Sequence, residues 1–268
     1  MAIKWGVIGR EIDAERFNKL KAFVESKGVA NEVILVESAP EKLVADLKAI
    51  MRQVDCLRIE RPFYNNVVSL SFEYPVETSL LNYADSMFKK GEHWWMRSLL
   101  SEGIRRLILN SKVDYEPTGK VLVVGSGGAA RACVYGLAAL GFLAIHVIDR
   151  DVKLAHELVK SLEHNLFKVE LKALDAGEIT SIPPQYTVVL NTTPETPENL
   201  LIKDIAFFNF IIDNAILIDL RPEESSKTFL GESKSLNVHR FGGEIVGKYC
   251  DVIWSEQAFG LNLNFGDI

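Results

Sequence analysis

Val121-Leu-Val-Val-Gly125-Ser-Gly127-Gly128-Ala129-Ala130-Arg131-Ala132 decides how this chain is read. Its first four residues are apolar and valine-rich, as a buried strand requires, and the G-x-G-x-x-A pattern that follows opens a helix. Gly125 permits a tight turn, Gly127 lets backbone approach a pyrophosphate, and the small Ala130 lets the helix pack close to the sheet. Ser126, Gly128 and Ala129 complete a loop that presents helix N-terminal amides, and the positive end of the helix dipole, to phosphate. A second strand, over 144–148, ends at Asp149, 24 residues after Gly125, close to the ~20-residue spacing at which a carboxylate accepts ribose hydroxyls. A glycine turn alone would describe any strand–helix connection; the combination predicts a dinucleotide site. Asp149 favours the free 2′-hydroxyl of NAD and repels a 2′-phosphate, whereas Arg150 pulls toward NADP. Two carboxylates, Asp149 and Asp151, flank that one guanidinium, so the reading is NAD with NADP as the alternative.

Outward from this motif, short β-rich runs alternate with longer helical patterns, the signature of α/β architecture with parallel sheets covered by helices. Before the motif the pattern predicts strands over 4–8, 32–36 and 56–60 and helices over 13–26 and 40–53. Asp13 stands at an N-cap position and Gly28 just past the end of the first of these helices. Residues 76–90 and 94–110 read as helical, the latter from the spacing of Leu99, Leu100, Ile104, Leu107 and Leu109. After the motif the pattern predicts helices over 128–140 and 152–164 and strands over 168–171, 187–190 and 215–219. A last strand near Val238 and a helix over 244–259 close the chain.

The composition narrows the function classes. The 268 residues are 48% hydrophobic and 25% charged, an ordinary soluble globular profile whose length suggests about two domains. Lys+Arg 30 against Asp+Glu 36 leaves a net charge of −6, and Lys89-Lys90 and Arg105-Arg106 are isolated pairs, so nucleic acid is not an expected partner. Cys56, Cys133 and Cys250 lack CxxC spacing and read as reduced thiols of a cytoplasmic protein. Residues 134–148 are interrupted by Gly136, Gly141 and His146 and fall short of the ~20 apolar residues of a membrane span. No HxxH, HExxH or Cys/His/carboxylate cluster predicts a metal, and no G-x-S-x-G elbow predicts a serine nucleophile.

With the glycine loop, Asp149-Arg150 and Asn191-Thr192-Thr193-Pro194 in place, the chain resembles the shikimate/quinate dehydrogenase family over most of its length. The resemblance implies an N-terminal substrate-type domain (1–101 and 243–268) and a Rossmann-like doubly wound dinucleotide domain (102–242), with the C-terminal helix returning to the first. It also implies that Asn191, Thr192, Thr193 and Pro194, similar to the family's Asn-Ala-Thr-Pro, line the cofactor. The opening Gly6-Val-Ile-Gly9 matches as well. The substrate motifs are degenerate. A shorter Arg10-Glu-Ile-Asp-Ala-Glu15 replaces the family's serine-containing loop, and its Asn-Val-Thr-x-Pro-x-Lys falls on Arg58-Ile-Glu-Arg61-Pro-Phe-Tyr64. Tyr64 thus stands where the catalytic lysine is expected, Leu100 where the catalytic aspartate is, and Asp85-Ser86 on the family's Asn-Thr pair. The late glutamine that touches substrate becomes Tyr249.

The candidate catalytic groups are accordingly Tyr64, as a proton donor to a developing alkoxide, and Asp85, orienting a substrate hydroxyl; the plainer roles are a packed loop tyrosine and a solvated carboxylate. Arg58 and Arg61 can hold an anionic substrate in place of the lost serines, although strand alternation points them to opposite faces. Tyr249 is a further substrate contact. His93, Trp94 and Trp95 read as the closure of a domain junction. Two function classes follow. One is an NAD(P)-dependent oxidoreductase acting on a small polar alcohol or ketone other than shikimate; the other is a catalytically silent dinucleotide-binding sensor or scaffold.

Overall fold

A computed structural model of the chain describes residues 2–70 and 76–267. The chain forms two compact units, Met1–Leu99 with Cys250–Ile268, and Leu100–Tyr249.

The first unit holds a five-stranded sheet in the order β2-β1-β3-β4-β5. Its strands are β1 (Ile3–Gly9), β2 (Asn31–Glu37), β3 (Cys56–Ile59), β4 (Ser86–Lys90) and β5 (His93–Arg97). β1 runs parallel to β2 and β3, while β4 and β5 form an antiparallel hairpin on β3. Helices α1 (Ala14–Ser26), α2 (Leu43–Met51) and α3 (Val76–Leu81) connect the strands. Asp13 caps α1, its carboxylate accepting the Arg16 amide at 3.0 Å, and Gly28 leaves the helix at φ +84°. One core, built on Ile8, Leu47, Ile50, Leu57 and Met87, lies beneath α2.

The second unit opens with α4 (Leu99–Asn110) and carries a six-stranded parallel sheet, β11-β10-β9-β6-β7-β8. Its strands are β6 (Lys120–Val124), β7 (Ala144–Ile148), β8 (Glu170–Leu174), β9 (Tyr186–Asn191), β10 (Ile211–Asp219) and β11 (His239–Phe241). Helices α5 (Gly128–Ala139), α6 (Val152–Glu163), α7 (Leu201–Ile205) and α8 (Phe229–Glu232) complete it, and α9 (Gly243–Phe259) carries the chain back into the first unit. β6 to β9 bury nearly every residue except those of β8, the burial expected of central parallel strands covered on both faces. The α/β reading therefore holds in both units.

Three local readings need correction. Residues 76–90 are not one helix: α3 ends at Leu81 and β4 begins at Ser86. Residues 94–97 belong to β5, so the helix expected from 94 starts only at Leu99. The hairpin turns at Gly91, φ +63°, and pairs Met87 with Met96 and Phe88 with Trp95. The strand expected over 168–171 lies two residues later, at Glu170–Leu174, because residues 165–169 are spent turning out of α6.

One buried carboxylate ties the first unit together. Asp251 on α9 accepts Arg58 Nη1 of β3 at 2.9 Å, and Arg16 Nη2 and Nε of α1 at 2.7 and 3.2 Å. The Arg58 guanidinium also lies over the Trp254 ring, 5.6 Å from its centroid, and Trp254 in turn packs on Trp5 and Phe88. Removing one member of a buried ion pair leaves its partner desolvated and uncompensated, at a cost of about 3–5 kcal/mol. Asp251→Ala is expected to lower the unfolding free energy by about that amount, read from the urea midpoint; a loss below about 0.5 kcal/mol would mean that the two guanidiniums find water instead.

In the second unit His146 of β7 is 5% exposed and shares a 2.7 Å hydrogen bond between its Nδ1 and the Tyr186 hydroxyl, while its Nε2 has no partner. Burial first, then Lys120, lower its pKa, with Lys172 adding to the effect and Glu170 opposing it. A histidine held neutral by the fold costs stability once the unfolded chain binds the proton, so stability is full above about pH 6.5 and falls as pH drops from there through the lowered folded value. The expected result is a loss of stability between pH 7.5 and 5.5 that shrinks in His146→Gln; equal losses in both proteins would remove His146 from the account.

Candidate functional site

In the second unit the strand C-termini bring the glycine loop, Asp149 and Asn191 to one edge of the sheet, because β6 has β7 on one side and β9 on the other. That is where open parallel sheets place ligands. Gly125 has φ +106°, and a Cβ there would collide with Thr192 Oγ1 and Thr193 Cγ2, so both the backbone and the contact demand glycine. Gly127, the N-cap of α5, is different. Its backbone is extended, with φ −71° and ψ −176°, and a Cβ placed on it would find nothing within 4 Å. Open space thus lies against the start of α5, whose first amides have no intrahelical acceptor. Ala130 is fully buried against the sheet.

Ser126 does more than fill a loop position. Its hydroxyl donates to Asp149 Oδ2 at 2.7 Å, and the Asp151 amide donates to Asp149 Oδ1 at 3.1 Å, so the carboxylate, 9% exposed, is held by two bonds. Asp151 itself caps α6 through the Lys153 amide at 3.0 Å. Arg150 is exposed and lies near Glu198, whose carboxyl is lowered chiefly by a backbone hydrogen bond, then by Thr196, and least by Arg150. Arg131 turns away from the loop and bonds Ser161.

The Asn191–Pro194 segment is braced from within. The Asn191 side chain, fully buried, accepts the Thr193 amide at 3.0 Å and hydroxyl at 2.8 Å and donates to Asp219 Oδ2 at 3.2 Å. Thr192 donates its hydroxyl to the Val124 carbonyl at 2.8 Å, which joins this segment to the strand preceding the glycine loop. Asn199 donates to the Pro194 carbonyl at 2.8 Å and to the Thr193 hydroxyl at 3.2 Å. Of these residues Thr192 and Thr193 are half-buried and Pro194 is exposed.

Behind them stands a network absent from the sequence reading. Asp219, at the end of β10 and fully buried, accepts Arg221 Nη2 at 2.6 Å and the Ser226 hydroxyl at 2.5 Å. Arg221 Nη1 reaches Glu195 at 2.6 Å, and Glu195 also accepts from the Thr228 hydroxyl. Burial raises the Glu195 pKa, but the Thr228 and Arg221 hydrogen bonds outweigh it and hold the carboxyl below its ordinary value. The signal for this network was Asp219-Leu-Arg221, two opposite charges directly after an apolar strand.

In the first unit the expected substrate residues separate. Arg58 is 4% exposed and its guanidinium is engaged by Asp251, so it holds the fold together and is not presented to a ligand. Arg61 is exposed, beyond the end of β3. Asp85 is not a solvated carboxylate: it is 6% exposed and accepts the Leu99 amide at 2.6 Å, at the start of α4. Tyr64 stacks on Tyr83, centroids 4.9 Å apart, and its hydroxyl lies 3.5 Å from Glu60 Oε2. Burial first and Glu60 second push its phenol well above the ordinary range. Glu60, which the sequence reading passed over, has Arg16 and Arg58 each 3.8 Å from its Oε1. Leu100 is buried, and Tyr249, also buried and in the second unit, is hydrogen-bonded to Asn110. All three cysteines are buried. Among the described residues no group of three or more His, Cys, Asp or Glu could hold a metal ion, and no helix is long and apolar enough to cross a membrane.

No family model matches the chain. A shikimate dehydrogenase (NADP(+)) of Caldicellulosiruptor saccharolyticus is 23% identical over 198 residues, 72% of this chain and 69% of the relative. A quinate dehydrogenase of Corynebacterium glutamicum, solved in complex with NAD, superposes with a TM-score of 0.80 at 19% identity, covering 99% of this chain and 96% of that one. The ligand-free 5-ketofructose reductase of a Gluconobacter strain superposes at 0.77 and 17% identity, covering 100% and 96%. The chain thus resembles the shikimate/quinate dehydrogenase family in sequence and shares its fold across both units.

Proposed function

We propose that this chain is an NAD(P)-dependent oxidoreductase of the shikimate/quinate dehydrogenase type, acting on a small polar alcohol or ketone other than shikimate. The observation that carries the reading is the open space against Gly127 at the start of α5, with the Asp149 carboxylate fixed beside it by Ser126. The α5 amides would hold a pyrophosphate and Asp149 the adenosine ribose diol. When bound, a nicotinamide dinucleotide supplies hydride transfer. NAD is favoured because Asp149 repels a 2′-phosphate. Arg150, the group that would attract one, has the Glu198 carboxylate as a neighbour.

The proton chemistry falls to Tyr64 and Glu60. A phenol with so high a pKa stays protonated at neutral pH and cannot act alone as a base. With Glu60 at its hydroxyl, it can take the proton of a substrate hydroxyl as its own passes to the carboxylate. Asp85, occupied by the Leu99 amide, is left a positioning role. That shikimate is not the substrate rests on the missing lysine, aspartate and serines. That a neighbour of this fold is a 5-ketofructose reductase supports a substrate other than shikimate. The second reading, a silent dinucleotide binder, draws on the same commitments of Arg58 and Asp85 to internal partners.

Calorimetry separates these readings. Wild-type protein is expected to bind NAD more tightly than NADP, and Ser126→Ala to weaken NAD about tenfold, or 1.4 kcal/mol, by freeing Asp149, with NADP changed less than about twofold. Affinity for neither cofactor would end the dinucleotide reading. Shikimate oxidation is expected to be at least ~10²-fold slower than turnover of the true substrate, and Tyr64→Phe to lower that turnover by ~10²–10⁴. Robust shikimate turnover would overturn the substrate assignment, and cofactor binding without turnover across a panel of polyols and their ketones would favour the silent binder.

A further inference from the structure

Within the first unit, a cleft of about 480 Å³ opens at the end of the sheet where β1 and β3 begin, between the β4–β5 hairpin and the last turn of α9. It lies at the opposite end of those strands from Glu60 and Tyr64, which follow the C-terminus of β3. Its size is within the range of small-molecule sites, about 300–1,000 Å³. The cleft exists because α9 ends at Phe259 while the hairpin projects beyond β3.

Its lining combines two kinds of group. Phe88 and Trp95, directly paired across β4 and β5, form an aromatic floor, and Trp95 remains 39% exposed. Among the described residues Lys89, Lys90 and Arg97 bring three cations to the same cleft, against Asp55 as the one carboxylate lining it. Asp55 already accepts the Lys4 amide at 3.2 Å. Among the described residues none of the three cations is ion-paired; Lys90 rests on the Trp95 ring, 5.3 Å from its centroid. Unpaired charges of one sign in a concave surface focus an attractive field on anions. An exposed indole beside them rewards a flat ring.

We propose that this cleft binds an aromatic carboxylate, its ring against Trp95 and Phe88 and its carboxylate on Arg97, with Lys89 and Lys90 neutralising what charge remains. A guanidinium suits a carboxylate because two parallel N–H groups match two oxygens. A simple oxyanion would use the cations and leave the aromatic floor uncovered, whereas a neutral ring would leave the cations unanswered. The two features together select a ligand that has both. The proposal does not depend on the dinucleotide reading, since every residue in it belongs to the first unit.

The test is calorimetric titration of the full chain with 2-naphthoate, with 2-naphthol as the ring without charge and inorganic phosphate as the charge without ring. 2-Naphthoate is expected to saturate at one site, at least tenfold tighter than either control, and both Trp95→Leu and Arg97→Gln to weaken it at least tenfold. Both side chains are exposed, so the variants are expected to fold; an unchanged urea midpoint verifies this. A Lys153→Gln variant, altered on a helix of the second unit, is expected to bind as wild type. Absence of saturable binding, equal affinity for phosphate, or binding that survives both substitutions in the first unit would overturn the proposal.

Discussion

The first unit hangs on a carboxylate contributed by the far end of the chain. Asp251 receives Arg58 from 193 residues upstream and Arg16 from 235 residues upstream, so a strand and a helix laid down early are joined by a helix that arrives last. Burying the Arg58 guanidinium is costly unless a partner is built in; Glu60 stands 3.8 Å away, and the hydrogen-bonded partner comes from α9. The aromatic contacts follow the same geometry. Trp254, one turn from Asp251 on α9, fills the space between Trp5 and Phe88, and Phe259 closes against Trp5 from the helix end. Charge fixes the register of α9 on the sheet, and the rings supply the buried area.

The second unit solves a comparable problem in another way. The edge that carries its glycine loop is made of loops, and each loop is tied to a strand terminus by a short polar side chain: Ser126 to Asp149, Thr192 to Val124, Asn191 to Asp219. Asp219 and Arg221 then carry the bracing outward to Glu195 and Thr228. Such networks hold geometry because their buried groups answer one another, Asn199 Oδ1 being an exception without a partner, and each bond lost leaves a group exposed to an apolar surrounding. An edge composed of turns can therefore be as well defined as the strands below it.

What was legible in the sequence follows from how local each cause is. The strand–loop–helix at 121–132 could be read because each part is specified within a few residues, as could the Asp13 cap and the glycine that ends α1. The β4–β5 hairpin was missed because Met87-Phe-Lys-Lys90 and Trp94-Trp-Met-Arg97 mix apolar and charged residues on both faces, so neither period stood out, and the helical spacing of α4 was extended back over β5. The fates of Arg58 and Asp85 were not legible. Arginine in a short strand says nothing of a carboxylate 193 residues away, and Asp85 meets the Leu99 amide only once the intervening hairpin has folded. Glu60 was overlooked for a related reason: its pairing with Tyr64 is four residues distant, but in a turn and not on a helix.

The division of the chain at Tyr249 and Cys250 has a consequence for its synthesis. The unit formed by Leu100–Tyr249 is continuous, and all six of its strands have left the ribosome once Phe241 has emerged. The unit that begins the chain is not. Until α9 is released, Trp5 lacks the rings of Trp254 and Phe259, and Arg58 and Arg16 lack their carboxylate. Domains commonly fold in the order in which they are translated; here the unit that begins the chain is completed after the one that follows it, and until α9 arrives it has an open apolar face and Glu60, 3.8 Å away, as the carboxylate beside Arg16 and Arg58. A premature stop between Phe241 and Asp251 would therefore leave all six strands of the second unit in place and take from the first the carboxylate and the rings that α9 brings.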